Sequence, residues 1–287
     1  MSILTDKVRI ICTDLDGTLL RSDKTISDYS VNILKKAALQ GFTVIPVTGR
    51  HLGGIPEQIK NADISFAICS NGAGLYDIRK KSLIREESLP EEIILKLLDE
   101  FIKLDIMADI FTSKHAYTDY RNLDILKDID ASEPVKDYIR KSRVVVDSIK
   151  DFYICKKPDV QKLTINFRKT GSIYKGREEI REILSHYDSL EYVTGGANNI
   201  EITAKNATKG KCIEYLSDIT GVPLSEIAAI GDTENDISMI NTAGIGIAMK
   251  NADKELKEIS KYITEFDNDE DGAARFIPNY SQSIRMP

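Results

Sequence analysis

The chain has 287 residues, enough for about two domains. Hydrophobic residues make up 42% and charged residues 29%, a balance typical of a globular protein rather than a disordered one. The 45 acidic residues outnumber the 39 basic ones, and a net charge of −6 argues against sequence-independent binding to nucleic acid, which requires excess positive charge. Residues 1–7 do not resemble a secretory signal, and no apolar run approaches the roughly 18 residues of a membrane span. We therefore expect no nucleic-acid or membrane partner.

The cysteines and histidines are sparse and scattered. The four cysteines are Cys12, Cys69, Cys155 and Cys212, without a CxxC pair. Three of them lie in apolar patterns, where a free cysteine behaves as a small buried hydrophobe, so we predict a reduced, cytoplasmic protein. The three histidines are far apart, which argues against a His-rich zinc site and leaves a hard cation held by oxygen atoms.

The first ninety residues alternate between predicted strands and helices. Buried strands are predicted at residues 8–14, 42–47 and 66–70. Between the first two, Ser27 is placed to cap a helix and Gly41 to end it. Pro46 cannot donate to a strand ladder, but it lies near the end of its strand.

The same alternation returns late in the chain. Cys212, Leu216 and Ile219 are predicted to share one face of a helix that Gly221 ends. Apolar strands follow at residues 226–230 and 245–249, with a helix beginning near Asp236. Strands and helices in this order predict a parallel sheet covered on both faces.

The middle of the chain has a different pattern. Helices are predicted around residues 93–102 and 180–187, strands at 106–111, 116–120 and 163–167, and a loop at 124–133. Several strands with few crossover helices indicate an α+β insert. We therefore predict a second domain at residues 84–194, inserted into a first domain made of residues 1–83 and 195–287.

The segment Asp14-Leu15-Asp16-Gly17-Thr18 directly follows the first predicted strand. Ligands of open α/β sheets bind outside the carboxyl ends of the strands, so these two acids are expected to project into a site. Gly17 permits the tight reversal that presents them. The alternative is an ordinary Asp-Gly turn.

A second acidic segment, Gly231 to Asp236, also follows a predicted strand. Two acid clusters at strand ends would form a hard-cation site of the Mg²⁺ type with room for water and phosphate. The alternative is a helix cap formed by Asp232 or Thr233.

Two further segments offer ligands for a phosphate group. Thr48 and Gly49 end the second strand with a hydroxyl and an exposed N–H, and Arg50 follows as a phosphate ligand or a surface residue. Lys209 lies at the start of a helix, where the helix dipole and the ammonium both favour an anion. Each segment alone is equally typical of a turn or a helix start.

Taken in order, DLDGT at 14–18, Thr48, Lys209 and GDTEND at 231–236 resemble the four motifs of the haloacid dehalogenase (HAD) superfamily. The long insert between the second and third motifs resembles the C2-type (C2B) cap of the Cof-type phosphatases. This resemblance implies an α/β fold with a Rossmann-like parallel-sheet core and an inserted α+β cap domain.

The resemblance also implies a Mg²⁺-dependent phosphatase that hydrolyses small phosphomonoesters through an aspartyl-phosphate. Asp14 would be the nucleophile and Asp16 the acid and base, with Mg²⁺ on Asp14, the Asp16 carbonyl and Asp232. Asp236 would lie outside the direct ligands and orient Lys209 or a metal-bound water. The expected ligands of the phosphoryl oxygens are the N–H groups of Leu15 and Gly49 together with Thr48, Lys209 and Asn235.

Alternatives remain open at this point. A phosphomutase would use the same Asp14 chemistry and pass the phosphoryl group to a sugar hydroxyl, and a phospho-Asp signalling module would keep it. Among substrates, sugar phosphates are favoured over nucleotides, pyridoxal phosphate or flavin mononucleotide.

Gly195 and Gly196 are a hinge or a plain loop, and the acidic segment 265–271 is read as a surface loop. A monomer or small homo-oligomer is expected.

Overall fold

The computed structural model of the chain describes residues 8–194 and 198–281. The strands are β1 (Ile10–Thr13), β2 (Thr43–Pro46), β3 (Phe66–Cys69), β4 (Gly74–Asp77), β5 (Ser82–Glu86), β6 (Ile106–Phe111), β7 (Ala116–Asp119), β8 (Arg143–Val146), β9 (Lys162–Phe167), β10 (Lys169–Thr170), β11 (Ile173–Tyr174), β12 (Leu190–Val193), β13 (Asn199–Ala204), β14 (Ile227–Gly231), β15 (Ile245–Ala248) and β16 (Tyr262–Ile263). The helices are α1 (Asp28–Leu39), α2 (Glu57–Lys60), α3 (Glu91–Phe101), α4 (Glu133–Ser142), α5 (Ile149–Lys156), α6 (Arg177–Leu184), α7 (Lys209–Thr220), α8 (Ile237–Thr242), α9 (Lys254–Ile259) and α10 (Gly272–Ser281).

Five parallel strands form the first sheet, in the spatial order β16-β15-β14-β1-β2. The central strands β1 and β14 are buried along their whole length. Apolar residues of α1, α7 and α8 belong to the same buried cluster as these strands. Continuous apolar strands of this kind are stable only where helices cover the sheet, so the predicted parallel α/β core is confirmed.

Local signals in the sequence account for several helix ends. The Ser27 hydroxyl accepts a hydrogen bond from the Ser30 N–H at 3.0 Å, as a helix N-cap does. Gly221 ends α7 with a φ of +66°. Pro46 is the last residue of β2, at the edge of the parallel sheet, where its missing N–H costs little.

Some expectations for the helices and loops were wrong. Ile219 lies in the last turn of α7 and is 44% exposed, so the buried face of that helix ends with Leu216. The segment 124–133 is not a plain loop, because Ile125–Asp128 form a 3₁₀ turn that buries Ile125 and Leu126 in a small apolar cluster.

A second sheet of six strands has the order β12-β13-β9-β6-β7-β8, and its neighbours are antiparallel except for β7 and β8. Leu163, Ile165 and Phe167 of β9 point to one face and pack with α3 and α6. The residues between them are polar and point to the opposite face. This sheet extends to Ala204, beyond the predicted boundary at residue 194, because β13 pairs with both β9 and β12. The division into domains itself stays a prediction.

The acidic segment near the C-terminus forms hydrogen bonds with the loop before α1 and with the first turn of α1. The Asp271 carboxylate accepts hydrogen bonds from Arg21 at 3.0 Å and Ser30 at 3.2 Å. Asp269 accepts both the N–H and the hydroxyl of Ser22 at 2.8 Å. These carboxylates therefore hold two distant parts of the chain together.

Two expectations remain, one for the glycines Gly195 and Gly196 and one for membrane-spanning helices. The predicted hinge glycines Gly195 and Gly196 lie outside the described residues. Within 8–194 and 198–281, no helix has both the length and the apolar character needed to cross a membrane.

Candidate active site

Two acidic side chains lie together where the central strands of the parallel sheet end. Asp14 directly follows β1, and Asp232 directly follows β14. The two strands are in register, with Thr13 opposite Ile230, and the Asp14 N–H donates to the Ile230 carbonyl at 2.9 Å. Because the carboxyl ends of adjacent parallel strands meet at one edge, the fold brings these two aspartates together from opposite ends of the chain.

Lys209, the first residue of α7, has a buried ammonium group between two carboxylates. Its Nζ donates to Asp14 Oδ1 at 2.7 Å and to Asp236 Oδ1 at 2.6 Å. Burial acts to lower the pKa of Lys209, but the two carboxylates outweigh it and hold the pKa above its ordinary value. The other oxygen of Asp236 accepts the N–H groups of Asp232 at 2.8 Å and Thr233 at 3.1 Å. Asp236 therefore orients both the lysine and the backbone that carries Asp232.

Carboxylate oxygens of Asp14, Asp232 and Asp236 all lie within 4.8 Å of one another. Burial raises the pKa of Asp14 to about 7, with Asp236 and Asp16 adding to the shift and Lys209 opposing it. Burial and the neighbouring Asp14 charge likewise raise the pKa of Asp232 well above its ordinary value. One ammonium thus does not balance three buried carboxylates. A set of oxygen donors that lacks positive charge fits a divalent cation.

Asp16 has a different environment from Asp14, although only one residue separates them. Arg50 donates to both oxygens of Asp16 at 2.7 Å, and Lys24 Nζ lies 2.9 Å from Oδ1. Burial acts to raise the pKa of Asp16, but the Arg50 hydrogen bonds and the charges of Arg50 and Lys24 bring it below the ordinary range. Arg50 is buried and also donates to the Gly54 carbonyl at 2.8 Å, so reading it as a surface residue was wrong.

The residues expected to hold the phosphoryl group lie around the same cavity. Thr48, Gly49 and Asn235 line it together with Asp14 and Asp16. The Thr48 hydroxyl accepts the N–H of Arg50 at 3.1 Å, which orients the loop after β2.

Asn235 and Leu15, two further expected ligands of the phosphoryl oxygens, differ in the groups that they offer to a ligand. Asn235 Oδ1 accepts the Thr233 hydroxyl at 2.9 Å, and Nδ2 lies 3.4 Å from Asn71 Oδ1. The Leu15 side chain is buried in the core, so only its main chain is available to a ligand.

The cavity has a volume of about 330 Å³ and lies between the acidic edge of the first sheet and the polar face of the second. The second sheet and α4 supply the wall opposite Asp14, with the side chains of Phe111, Tyr138, Arg143, Lys162, Thr164, Asn166 and Glu201. Sequence analysis missed these residues. A signal was present in β9, where Lys162, Thr164 and Asn166 alternate with Leu163, Ile165 and Phe167, as in a strand with one polar face.

The charged groups of this wall are paired with one another. Lys162 Nζ donates to Glu201 at 2.7 Å and to the Gly49 carbonyl at 2.7 Å. The other oxygen of Glu201 accepts from Asn71 Nδ2 at 2.6 Å. Gly49 and Asn71 belong to the loops after β2 and β3, so these bonds connect the second sheet directly to the acidic edge.

Comparison with known proteins agrees with this architecture. The model of the haloacid dehalogenase-like hydrolase family matches residues 11–277. The chain is 31% identical over 286 residues to the 5-amino-6-(5-phospho-D-ribitylamino)uracil phosphatase YwtE of Bacillus subtilis, covering 94% of this chain and 97% of the relative. It is 28% identical over 279 residues to the pyridoxal phosphate phosphatase YbhA of Escherichia coli, covering 96% and 99%.

A solved haloacid dehalogenase-like hydrolase from B. subtilis superimposes with a TM-score of 0.80 at 27% identity, covering 94% of this chain and 99% of the other. The match extends over both sheets, since it includes nearly all of the chain. The predicted fold and the predicted reaction class, phosphomonoester hydrolysis, are therefore confirmed. The chain belongs to the haloacid dehalogenase-like hydrolases.

Proposed function

We propose that this protein is a Mg²⁺-dependent phosphatase that hydrolyses small phosphomonoesters, preferably sugar phosphates, through an aspartyl-phosphate on Asp14. The observation that carries the proposal is the convergence of Asp14, Asp232 and Lys209 at one edge of the parallel sheet. The two curated relatives are named for different small phosphomonoesters, which supports that substrate class.

Asp14 is the proposed nucleophile because its carboxylate lines the cavity and Lys209 holds it in place. One carboxylate oxygen attacks phosphorus, and the bond from phosphorus to the ester oxygen breaks. Asp16 gives its proton to the leaving oxygen and then takes a proton from the water that cleaves the aspartyl-phosphate. The first step needs a protonated Asp16 and the second step an ionised one. Arg50 and Lys24 favour the ionised form, so protonation for the first step requires that the bound substrate draws these two cations away from Asp16.

The proposed Mg²⁺ ligands are the carboxylates of Asp14 and Asp232 and the main-chain carbonyl of Asp16. The ion supplies positive charge that screens the repulsion between a carboxylate and a phosphate dianion. Asp236 is proposed to be a positioning residue, since one of its oxygens holds Lys209 and the other accepts two backbone N–H groups. We propose Leu15 N–H, Gly49 N–H, Thr48, Lys209 and Asn235 as ligands of the phosphoryl oxygens.

We further propose that residues 84–194, with the β13 strand that completes their sheet, form a lid over the site. Contacts of Lys162 with Gly49 and of Glu201 with Asn71 support this role, because they join the lid to the loops that carry the proposed phosphate ligands. A closed lid keeps water away from the first step and must open for product to leave.

The test is phosphate release from a panel of small phosphomonoesters, measured with Mg²⁺ and after chelation. We expect Mg²⁺-dependent turnover that Asp14→Asn lowers at least about a thousandfold, with the fold intact by circular dichroism. Asp63→Asn, which changes an exposed aspartate paired with Arg79, is the control and should leave the rate unchanged. Release of phosphate without an added acceptor distinguishes hydrolysis from phosphoryl transfer to a sugar. An unchanged rate in Asp14→Asn would refute the proposal.

A further inference from the structure

The wall of the cavity opposite Asp14 is built from an ordered grid of side chains on the second sheet. Across the sheet, Thr164 of β9 is paired with Asp109 of β6 on one side and with Glu201 of β13 on the other. Two residues further along β9, Asn166 is paired with Asn199 of β13. Paired residues of antiparallel strands point to the same face, so these groups share the face that the cavity exposes.

The charged members of this grid are already neutralised. Arg143 Nε donates to Asp109 Oδ2 at 2.8 Å, and Lys162 Nζ donates to Glu201 Oε1 at 2.7 Å. On the opposite side of the cavity, Lys24 and Arg50 are both paired with Asp16. Among the described residues that line the cavity, every ammonium and guanidinium group thus has a carboxylate partner.

Two neutral side chains of β9 have polar atoms without a partner. Thr164 and Asn166 are each less than 5% exposed, and both line the cavity. The hydroxyl oxygen of Thr164 and the amide nitrogen of Asn166 are buried and make no hydrogen bond. A buried polar group without a partner lowers stability, so a pair of them facing one cavity indicates that a ligand satisfies them.

We infer that Thr164 and Asn166 bind the leaving group of the substrate and that they select an uncharged, hydroxyl-bearing one. The threonine hydroxyl can donate and accept, and the asparagine amide can donate, which matches the hydroxyl groups of a sugar or polyol. This inference rests on the proposed phosphatase activity, since Asp14 on the facing wall would hold the phosphoryl group.

The same geometry disfavours a leaving group that carries a second negative charge. Such a group would meet the Glu201 carboxylate, and the two cations of the same wall, Arg143 and Lys162, are already paired one to one with Asp109 and Glu201. An anion that enters without a free cation loses hydration that nothing replaces. A sugar phosphate should therefore be a better substrate than the matching sugar-acid phosphate or sugar bisphosphate.

The experiment compares kcat/KM for three probes with the full chain and Mg²⁺. Glucose 6-phosphate has a neutral hydroxylated leaving group, 6-phosphogluconate has an open-chain hydroxylated leaving group with one carboxylate, and phenyl phosphate has no polar substituent. We expect the wild type to prefer glucose 6-phosphate to 6-phosphogluconate by at least about tenfold. The reason is that desolvating a charge without a partner costs more free energy than the loss of one hydrogen bond.

Thr164→Val and Asn166→Ala should each lower kcat/KM for glucose 6-phosphate about tenfold and leave phenyl phosphate within twofold. Thr164→Val keeps the shape of the side chain and removes an unsatisfied hydroxyl, so its melting temperature should equal or exceed that of the wild type. Thr164→Ser retains the hydroxyl and should retain activity. Thr118→Val is the matched control, since Thr118 is a buried threonine of the same sheet whose hydroxyl also has no partner but which does not line the cavity.

The possible outcomes separate this inference from the proposed function. If phenyl phosphate and glucose 6-phosphate are cleaved equally well by the wild type and by both β9 variants, the leaving-group assignment is wrong. The proposed phosphatase activity would still be supported by that result. A preference for 6-phosphogluconate would overturn the charge argument. An equal loss in Thr118→Val would show a general effect on the sheet and overturn the assignment. No turnover of any probe by the wild type would refute the phosphatase itself.

Discussion

Gly17 lies directly against the Asp232 carboxylate, although 215 positions separate the two residues in the chain. A Cβ atom on Gly17 would come within 2.1 Å of Asp232 Oδ2 and 2.9 Å of its Cγ. Gly17 also has a φ of +87°, in the region that favours glycine. The turn after β1 can therefore pack against the Asp232 carboxylate in this way only if residue 17 has no side chain.

Gly17→Ala should displace the Asp232 carboxylate and weaken metal binding. We expect the Mg²⁺ concentration for half-maximal activity to rise at least about tenfold, because the new methyl group occupies the position of a proposed ligand. Gly41→Ala is the control, since Gly41 has the same φ of +87° and nothing within 4 Å of a Cβ. It should lose about 1–2 kcal/mol of stability from backbone strain and keep its Mg²⁺ dependence. Equal Mg²⁺ dependence in both variants would contradict the prediction.

Lys209→Met should abolish activity and destabilise the fold. The change leaves Asp14 and Asp236 buried without their shared cation, which we expect to cost about 3–5 kcal/mol in the free energy of unfolding. Urea denaturation measures the loss. Lys211→Met, on the same helix, removes an exposed ammonium that pairs with Glu214 and should change stability by less than about 1 kcal/mol. Similar losses in the two variants would show that the buried pairing is not what stabilises this edge.

Divalent metal should stabilise the protein through Asp232. Mg²⁺ binds the native state and not the unfolded chain, so the melting temperature should rise with Mg²⁺ and fall again after chelation. Asp232→Asn should abolish this response and the activity. Without metal, however, it should raise stability by about 1 kcal/mol, because it removes a buried carboxylate that faces Asp14 and Asp236. A variant that still responds to Mg²⁺ would exclude Asp232 as a ligand.

His51 should make stability depend on pH. Burial, then the nearby charges of Arg143, His115 and Lys162, lower the pKa of His51 to about 4. An unfolded histidine has a pKa of about 6.5, so between these values the unfolded chain binds more protons and stability falls as the pH falls. This residue should account for about 2 kcal/mol of loss between pH 7.5 and pH 5.

The measurement is the free energy of unfolding of His51→Gln at both pH values. The variant should lose about 2 kcal/mol less than the wild type over this range. His186→Gln changes an exposed histidine and should follow the wild type. A His51→Gln curve parallel to that of the wild type would show that the buried imidazole does not titrate differently on unfolding.

The strand-end motifs could be predicted from the sequence because their signals are local. An apolar run that ends in Asp14, and another that ends just before Asp232, are the pattern of buried parallel strands that carry site residues at their ends. Ser27 and Gly221 likewise mark helix ends through bonds and dihedral angles that involve only neighbouring residues.

Helices with few apolar residues were harder to predict. α4 and α5 were missed because they bury few apolar residues. α4 fully buries only Ile139, with Val135 and Tyr138 half-buried beside it, and α5 buries only Ile149 and Tyr153. β12 and β13 also escaped notice, and with them the true extent of the second sheet. Packing against neighbours, rather than a pattern of their own, stabilises such elements.

The sequence by itself determined which residues end the central strands, and through them the family and the class of chemistry. Only the tertiary structure decided the pairing of Arg50 with Asp16, the dual contacts of Asp236 and the side chains opposite Asp14. The alternation of polar and apolar residues along β9 reveals that one face of this strand is polar. It does not reveal which part of the protein lies opposite that face. That depends on how two sheets pack, which involves residues far apart along the chain and leaves no local trace.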